Sequence, residues 1–158
     1  MRTSSKLFVV DPSGRLLLLD CRDPADPATT WWELPGGGIE LGEDAVEAGV
    51  REVAEETGVA VPPACVGPLQ WTRVSNFSWC GSRHIARHEG RLAQLPGPAS
   101  YGELALTPEE RGTILGLRWW SPQDLAGHRG RFFPTGVPAL LVRLLAGEVV
   151  TEPDEVWN

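Results

Sequence analysis

Glu52, Glu55 and Glu56 stand at i, i+3 and i+4, so on a helix they project from one face. Like charges at that spacing cost a few tenths of a kcal/mol each. The neighbours on this face are Ala45 and Ala48, not the lysines or arginines that usually offset such repulsion. Small neighbours leave room for a ligand. The physical remedy for clustered carboxylates is a hard divalent cation with oxygen ligands, Mg²⁺ or Mn²⁺. Mg²⁺ keeps several waters and is commonly completed by substrate phosphates. An isolated acidic triplet is more often a solvated helix face, so the surroundings decide.

The element that carries the triplet is the clearest in the chain. Asp44 with Glu47 three residues on makes a capping-box pattern, and Gly58 sits where a helix C-cap belongs. Val46, Val50, Val53 and Thr57 recur at helical spacing and predict a buried stripe, with the acids well round the helix from it. Gly49 costs this helix roughly 0.5–1 kcal/mol relative to Ala, which predicts close packing on a sheet. Lys6–Val10 and Leu16–Leu19 read as a hairpin across Asp11-Pro-Ser-Gly14. Residues 23–30 hold two prolines and read as a loop, followed by a short strand at 31–34. Residues 66–79 and 82–95 read as longer strands. Thr107 and Glu110 cap a one-turn helix, residues 113–120 form a strand, and Ser121 opens a short helix. Pro138–Ala146 reads as a Leu-rich amphipathic helix, and the tail from about 149 as frayed.

Gly37, five residues, Glu43, seven residues, then Arg51-Glu52-Val53-Ala54-Glu55-Glu56-Thr57-Gly58-Val59 resembles the Nudix box, the signature of the Nudix hydrolase family. Nine constraints are met over 23 residues. Leu34-Pro35-Gly36-Gly37 resembles the usual lead-in. Arg118-Trp119-Trp120-Ser121 through Leu125 resembles the strand and short helix that follow the box in many members. The resemblance implies an α/β (α+β) fold: an αβα sandwich with a mixed central sheet, a loop–helix–loop catalytic motif, and one domain over residues 1–158. It implies a hydrolase that cleaves a diphosphate linked to another moiety, often a nucleoside, with Mg²⁺ or Mn²⁺ as cofactor. Carried over, Glu52, Glu55 and Glu56 become metal ligands and the Gly36 carbonyl a backbone ligand. Arg51 and Glu43 become structural, Arg51 orienting a ligand glutamate. Bound metal polarises phosphoryl oxygens and stabilises the leaving oxygen, and a carboxylate takes the proton of the attacking water. Glu55 or Glu52 could do so, as could Glu103, Glu109 or Glu110 outside the box.

Composition sets further bounds. The chain has 158 residues, a formal net charge of −7 and 42% hydrophobic residues, which suits one folded domain and excludes whole-chain disorder. Residues 36–59 hold seven acids and one base, so six of the seven net charges lie in the motif. With no cationic excess, nucleic acid is not an expected partner. The three cysteines, Cys21, Cys65 and Cys80, form no CxxC pair, so neither a zinc site nor a disulfide scaffold is indicated. No apolar run reaches membrane-spanning length, and the expected compartment is the cytoplasm. The expected partner is a small nucleotide or other diphosphate substrate, and many relatives are homodimers. Arg73, Arg83 and Arg87 are candidate contacts for its phosphate. His84 and His88 share a strand face without an evident third ligand. Trp31, Trp32, Trp71 and Trp79 are candidates for base stacking, although core packing is the commoner role of Trp. Two rivals remain: a domain of the same build that senses a nucleotide without turnover, and an isomerase of prenyl diphosphates. The complete carboxylate set counts against the first, and no distinct acid–base pair is evident for the second. Subfamily markers for ADP-ribose, diadenosine polyphosphate, NADH or coenzyme A are not visible, so a nucleoside di- or triphosphate derivative is the expected substrate.

Overall fold

Leu16 to Leu19 are apolar at four consecutive positions because their strand is covered on both faces. The computed structural model describes residues 1–157. Its elements are β1 (Arg2–Val10), β2 (Leu16–Asp23), β3 (Asp26–Glu33), β4 (Gly36–Gly38), α1 (Ala45–Thr57), β5 (Trp71–Trp79) and β6 (Ser82–Gln94). They continue with α2 (Pro108–Thr113), β7 (Ile114–Trp120), α3 (Pro122–Gly127), β8 (Phe132–Phe133), α4 (Val137–Leu145), β9 (Val150–Thr151) and β10 (Glu155–Trp157). One mixed sheet runs β10-β5-β6-β1-β2-β3-β8, with β4 also on β1, β7 on β2 and β9 on β5. β1 lies parallel to β6, and the β1–β2 and β5–β6 pairs are antiparallel.

Alternate residues of β1 serve two layers. Leu7 and Val9 join Leu17, Val53 and Val59 beneath α1. Phe8 and Val10 join Leu16, Leu18, Leu140 and Leu144 beneath α4. Helix, sheet and helix thus stack as the expected α+β sandwich with a mixed, curled sheet. No helix among the described residues is long and apolar enough to cross a membrane.

The capping box of α1 is complete: Asp44 accepts from the Glu47 N–H, and Glu47 accepts from the Asp44 N–H, both at 2.8 Å. Gly58 ends the helix in the left-handed region at φ 76°, which favours glycine. A Cβ on Gly49 would come within 2.9 Å of Leu7 Cγ and Ser5 Oγ, so the missing side chain is what lets α1 lie on β1.

Three expectations are corrected. The buried face of α1 is Ala48, Gly49, Glu52, Val53, Glu56 and Thr57, while Val46 and Val50 are only half-buried. The helix is rolled so that two of its carboxylates face inward, where polar partners receive them. Residues 23–30 are not a loop but the turn and ladder of the β2–β3 hairpin. The register shifts beside Asp23, so Pro27 falls in a bulge where its missing N–H costs no ladder bond. The tail is not frayed over 150–157: β9 and β10 lie parallel on the outer edge of β5 and use its free backbone groups. Asn158 lies outside the described residues.

Candidate metal centre and substrate cleft

β4 brings three glycines alongside Ser4, Ser5 and Lys6 of β1 and under α1. A Cβ on Gly37 would lie 2.5–2.7 Å from the Glu52 carboxylate, so the glycine makes the seat for that side chain. The Gly36 N–H donates to Glu56 Oε2 at 3.0 Å. Arg51 ties loop to helix: it donates to both Glu43 oxygens at 2.6 and 3.0 Å, and to the Gly38 carbonyl at 3.1 Å. Its Nη1 reaches Glu52 at 3.0 Å and Glu55 at 3.2 Å. These are charge-assisted bonds from one rigid fork, suited to fixing carboxylate positions. Hydrogen bonding from Arg51 holds Glu43 down at about 2.

Glu52 and Glu56 are 7% and 8% exposed. Burial raises the pKa of both; Glu55 adds to the rise at Glu52, and Glu52 and Glu33 add to it at Glu56. Arg51 opposes the shift at Glu52, and Lys6 opposes it at Glu56. Lys6, itself buried, donates to the Gly36 carbonyl at 3.0 Å, the Leu34 carbonyl at 3.1 Å and Glu33 at 3.4 Å. Burial alone would lower its pKa, but Glu33, Glu56 and Glu52 outweigh burial and raise it, so Lys6 stays charged. Lys6 was not legible as a site residue, because a lone lysine in an apolar strand carries no motif.

Glu110 arrives from α2, on the far side of the cleft. Its Oε2 accepts from the Thr107 N–H at 2.8 Å, so the capping box that builds the helix also orients the carboxylate. Oxygens of Glu52, Glu56 and Glu110 lie within 4.8 Å of one another. Glu55 is outside this trio, half-buried, with one oxygen on Arg51. Glu103 and Glu109 are exposed and do not line the cleft. The cluster suits a hard dication: Glu52 and Glu56 offer the close-set carboxylate oxygens that Mg²⁺ or Mn²⁺ takes, and Glu110 stands within reach of whatever they hold.

The cleft beside the trio is lined by polar groups and by aromatic rings. Arg2 lies across Gly38, where a Cβ would collide with its guanidinium, and it is the only Lys or Arg among the described residues that line the cleft. Trp31, Phe77, Trp79, Phe133 and Trp157 supply its aromatic lining. Trp79 donates to Thr113 Oγ1 at 2.9 Å and so joins the β5–β6 hairpin to α2.

The other candidates fall elsewhere. Arg73 is drawn to the sheet edge, 2.7 Å from Glu152 and 3.0 Å from Glu155. Arg83 donates to Asn76 and Ser78, and Arg87 to Glu89; none of the three arginines lines the cleft. Trp32 packs on Trp120, and Trp71 is buried against Phe8. His84 stacks on Phe77 at 5.5 Å. His88 is 2% exposed between Trp71 and Phe133, both ring nitrogens lack hydrogen-bond partners, and burial foremost lowers its pKa to about 3. Cys21 is buried, Cys65 half-buried and Cys80 exposed at the β5–β6 turn.

A family profile for the NUDIX domain matches residues 2–141. The chain belongs to the Nudix family. Among curated relatives, the RNA pyrophosphohydrolase of Dinoroseobacter shibae is 51% identical over 51 residues, 32% of this chain and 30% of that protein. The RNA pyrophosphohydrolase of Brucella anthropi is 51% identical over 47 residues, again under a third of either chain. The aligned stretch therefore spans less than a third of these relatives' length. Among solved structures, the MutT protein of Bacillus halodurans superposes with a TM-score of 0.65 at 20% identity, over 99% of this chain and 91% of that one. The MutT NUDIX hydrolase of Burkholderia pseudomallei gives 0.61 at 22% identity, over 89% and 97%. An ADP-ribose pyrophosphatase of Streptococcus suis gives 0.58 at 15% identity, over 97% of both chains. These likenesses show the fold.

Proposed function

We propose that the protein is a Mg²⁺- or Mn²⁺-dependent pyrophosphohydrolase that cleaves the diphosphate linkage of a nucleoside diphosphate derivative or nucleoside triphosphate. The observation that carries this reading is the convergence of Glu52, Glu56 and Glu110 in a cleft that aromatic rings also line. Glu52 and Glu56 would hold the metal with the Gly36 carbonyl, and Glu55, next to them on α1, would add a carboxylate. Bound there, a metal would supply positive charge to polarise the phosphoryl oxygens. Arg51 keeps the box carboxylates in place, since one guanidinium spans Glu43, Glu52 and Glu55. Lys6 steadies the glycine loop from below through the Gly36 carbonyl. Arg2 meets the phosphate chain. Glu110, on the opposite wall, accepts the proton of the attacking water as general base. The aromatic lining receives the nucleoside.

Two relatives are named RNA pyrophosphohydrolase, and an RNA 5′ end would offer the same phosphate chemistry. A cleft with one lining cation supports a small nucleotide, because polynucleotide binding draws on several phosphate contacts. The test is turnover with Mg²⁺ over a panel of nucleotides and base-free diphosphates, read as release of phosphate, pyrophosphate or nucleoside monophosphate. Release is expected from at least one nucleotide, and Glu56→Gln is expected to lower it by about a hundredfold or more, as loss of a ligand exceeds the cost of losing a supporting partner. Tight nucleotide binding without product release from any substrate would replace hydrolysis with a sensing role.

A further inference from the structure

The family match ends at residue 141, yet one wall of the cleft comes from residue 157. The chain reaches it by a defined route. After α4 it returns along the outer edge of β5, first as β9, with Val150 opposite Trp71, then as β10, with Trp157 opposite Phe77. A polar latch secures the return. Arg73 pairs with Glu152 and Glu155, Trp71 Nε1 donates to Glu152 at 2.9 Å, and Ser75 donates to Glu155 at 2.8 Å. Trp157 is thereby delivered to a fixed position. Its Nε1 donates to the Phe132 carbonyl at 3.1 Å, and the Arg131 guanidinium lies 4.2 Å from its ring centroid. It meets Trp31 and Phe133 edge-on at 5.2 and 5.0 Å.

Core packing explains part of this arrangement, since Trp157 is 5% exposed. It does not explain why an indole locked by a hydrogen bond, a cation and two edge contacts forms cleft wall beside Trp31, Phe77 and Phe133. Rings held rigid present area for stacking without losing rotamer freedom on binding. The cleft is about 170 Å³. Pockets for drug-sized ligands run to about 300–1,000 Å³, so this cleft, lined by the carboxylates as well as the rings, has room for one flat ring system beside the phosphates.

We infer that Trp157, carried in by the C-terminal strand, is a specificity-determining residue that forms part of the seat for the substrate's nucleobase. This rests on the nucleotide reading above and adds the part of the chain that selects the base. The Arg73–Glu155 latch acts through Trp157 as a positioning device.

The test uses the full-length protein labelled with 5-fluorotryptophan, whose seven tryptophans give separate fluorine resonances. Trp157→Phe assigns one line, and Trp119→Phe assigns a control line on β7. AMP, GMP, CMP and UMP are titrated beside ribose 5-phosphate, which lacks a base. At least one nucleotide is expected to move the Trp157 line, while ribose 5-phosphate leaves it in place and the Trp119 line stays still. In turnover, Trp157→Ala is expected to raise KM for the preferred nucleotide about tenfold, with Trp157→Phe recovering most of the loss, because a phenyl ring still offers a face for stacking. A Trp157 line that ignores every nucleotide overturns the inference. So does an unchanged KM and substrate ranking in a folded Trp157→Ala protein. Hydrolysis of base-free diphosphates, measured separately, would then still stand, which distinguishes this failure from failure of the hydrolase reading.

Discussion

Glu110 does two jobs with one carboxylate. It closes the capping box of α2 through Oε2, and it faces Glu52 and Glu56 across the cleft. Glutamine serves a capping box as well as glutamate does. Glu110→Gln should therefore keep the helix, and with it the fold, while removing the carboxylate that α2 brings to the cleft. General-base loss typically costs about 10²–10⁴ in rate. A fall of that size in kcat is expected with little change in KM. Glu109→Gln, one position earlier and exposed, should behave as wild type in the same assay. Equal loss in both variants would mean that α2 matters as a scaffold and that the base lies elsewhere. Glu110 could not be separated from Glu103 and Glu109 in the sequence, because all three precede the same strand and only the packing of α2 against the cleft tells them apart.

At the scale of elements, the same added methyl should have opposite consequences in loop and helix. On Gly37 a Cβ meets the free end of Glu52, a flexible side chain that can move aside. Gly37→Ala should leave the melting temperature close to wild type and lower turnover by about a hundredfold, since a displacement near 1 Å can cost that much. On Gly49 a Cβ meets Leu7 and Ser5 in the packed helix–sheet layer. Overpacking costs about 1–3 kcal/mol, and the gain in helix propensity returns at most about 1 kcal/mol. Gly49→Ala should thus lose about 1 kcal/mol, read as a fall of about 2–4 °C in melting temperature, with activity retained in what remains folded. The reverse pattern, an inactive Gly49→Ala and an unstable Gly37→Ala, would contradict the assigned roles. These elements differ in how far local residues announce them. α1 was legible end to end, because Asp44, Glu47 and Gly58 act within a turn of where they stand. Its roll was not: which stripe is buried depends on Lys6 and the Gly36 N–H receiving the carboxylates, and both lie on other strands. β9 and β10 were illegible for the same reason, as their ladder bonds are supplied by β5 and their charges by Arg73. The β2–β3 hairpin was hidden by Pro27, which a bulge accommodates.

Over the whole molecule, the acidic excess and the buried histidine lie in two separate regions. The box concentrates acids around Arg51 and Lys6, and the sheet beneath the cleft holds His88 among aromatic rings. His88 faces Lys6 and Arg73, and both cations add to burial in opposing its protonation. Its imidazole titrates near the ordinary 6.5 in the unfolded chain and at about 3 in the folded one. Between those values the unfolded chain binds a proton that the folded one does not. Stability is therefore undiminished by His88 above about pH 6.5, and it falls as the pH drops from there towards 3, by up to about 1.4 kcal/mol per pH unit. His88→Phe removes the titration and two unpartnered ring nitrogens while keeping a flat ring between Trp71 and Phe133. Urea unfolding of both proteins at intervals from pH 8 to pH 4, with chelator present so that metal linkage is constant, isolates this residue, because every other titration is common to the pair. The variant should match or exceed wild type at pH 8, and its advantage should grow steadily below pH 6.5. Parallel curves over that range would show that His88 takes up its proton in the folded state, through rearrangement of the layer beneath the cleft.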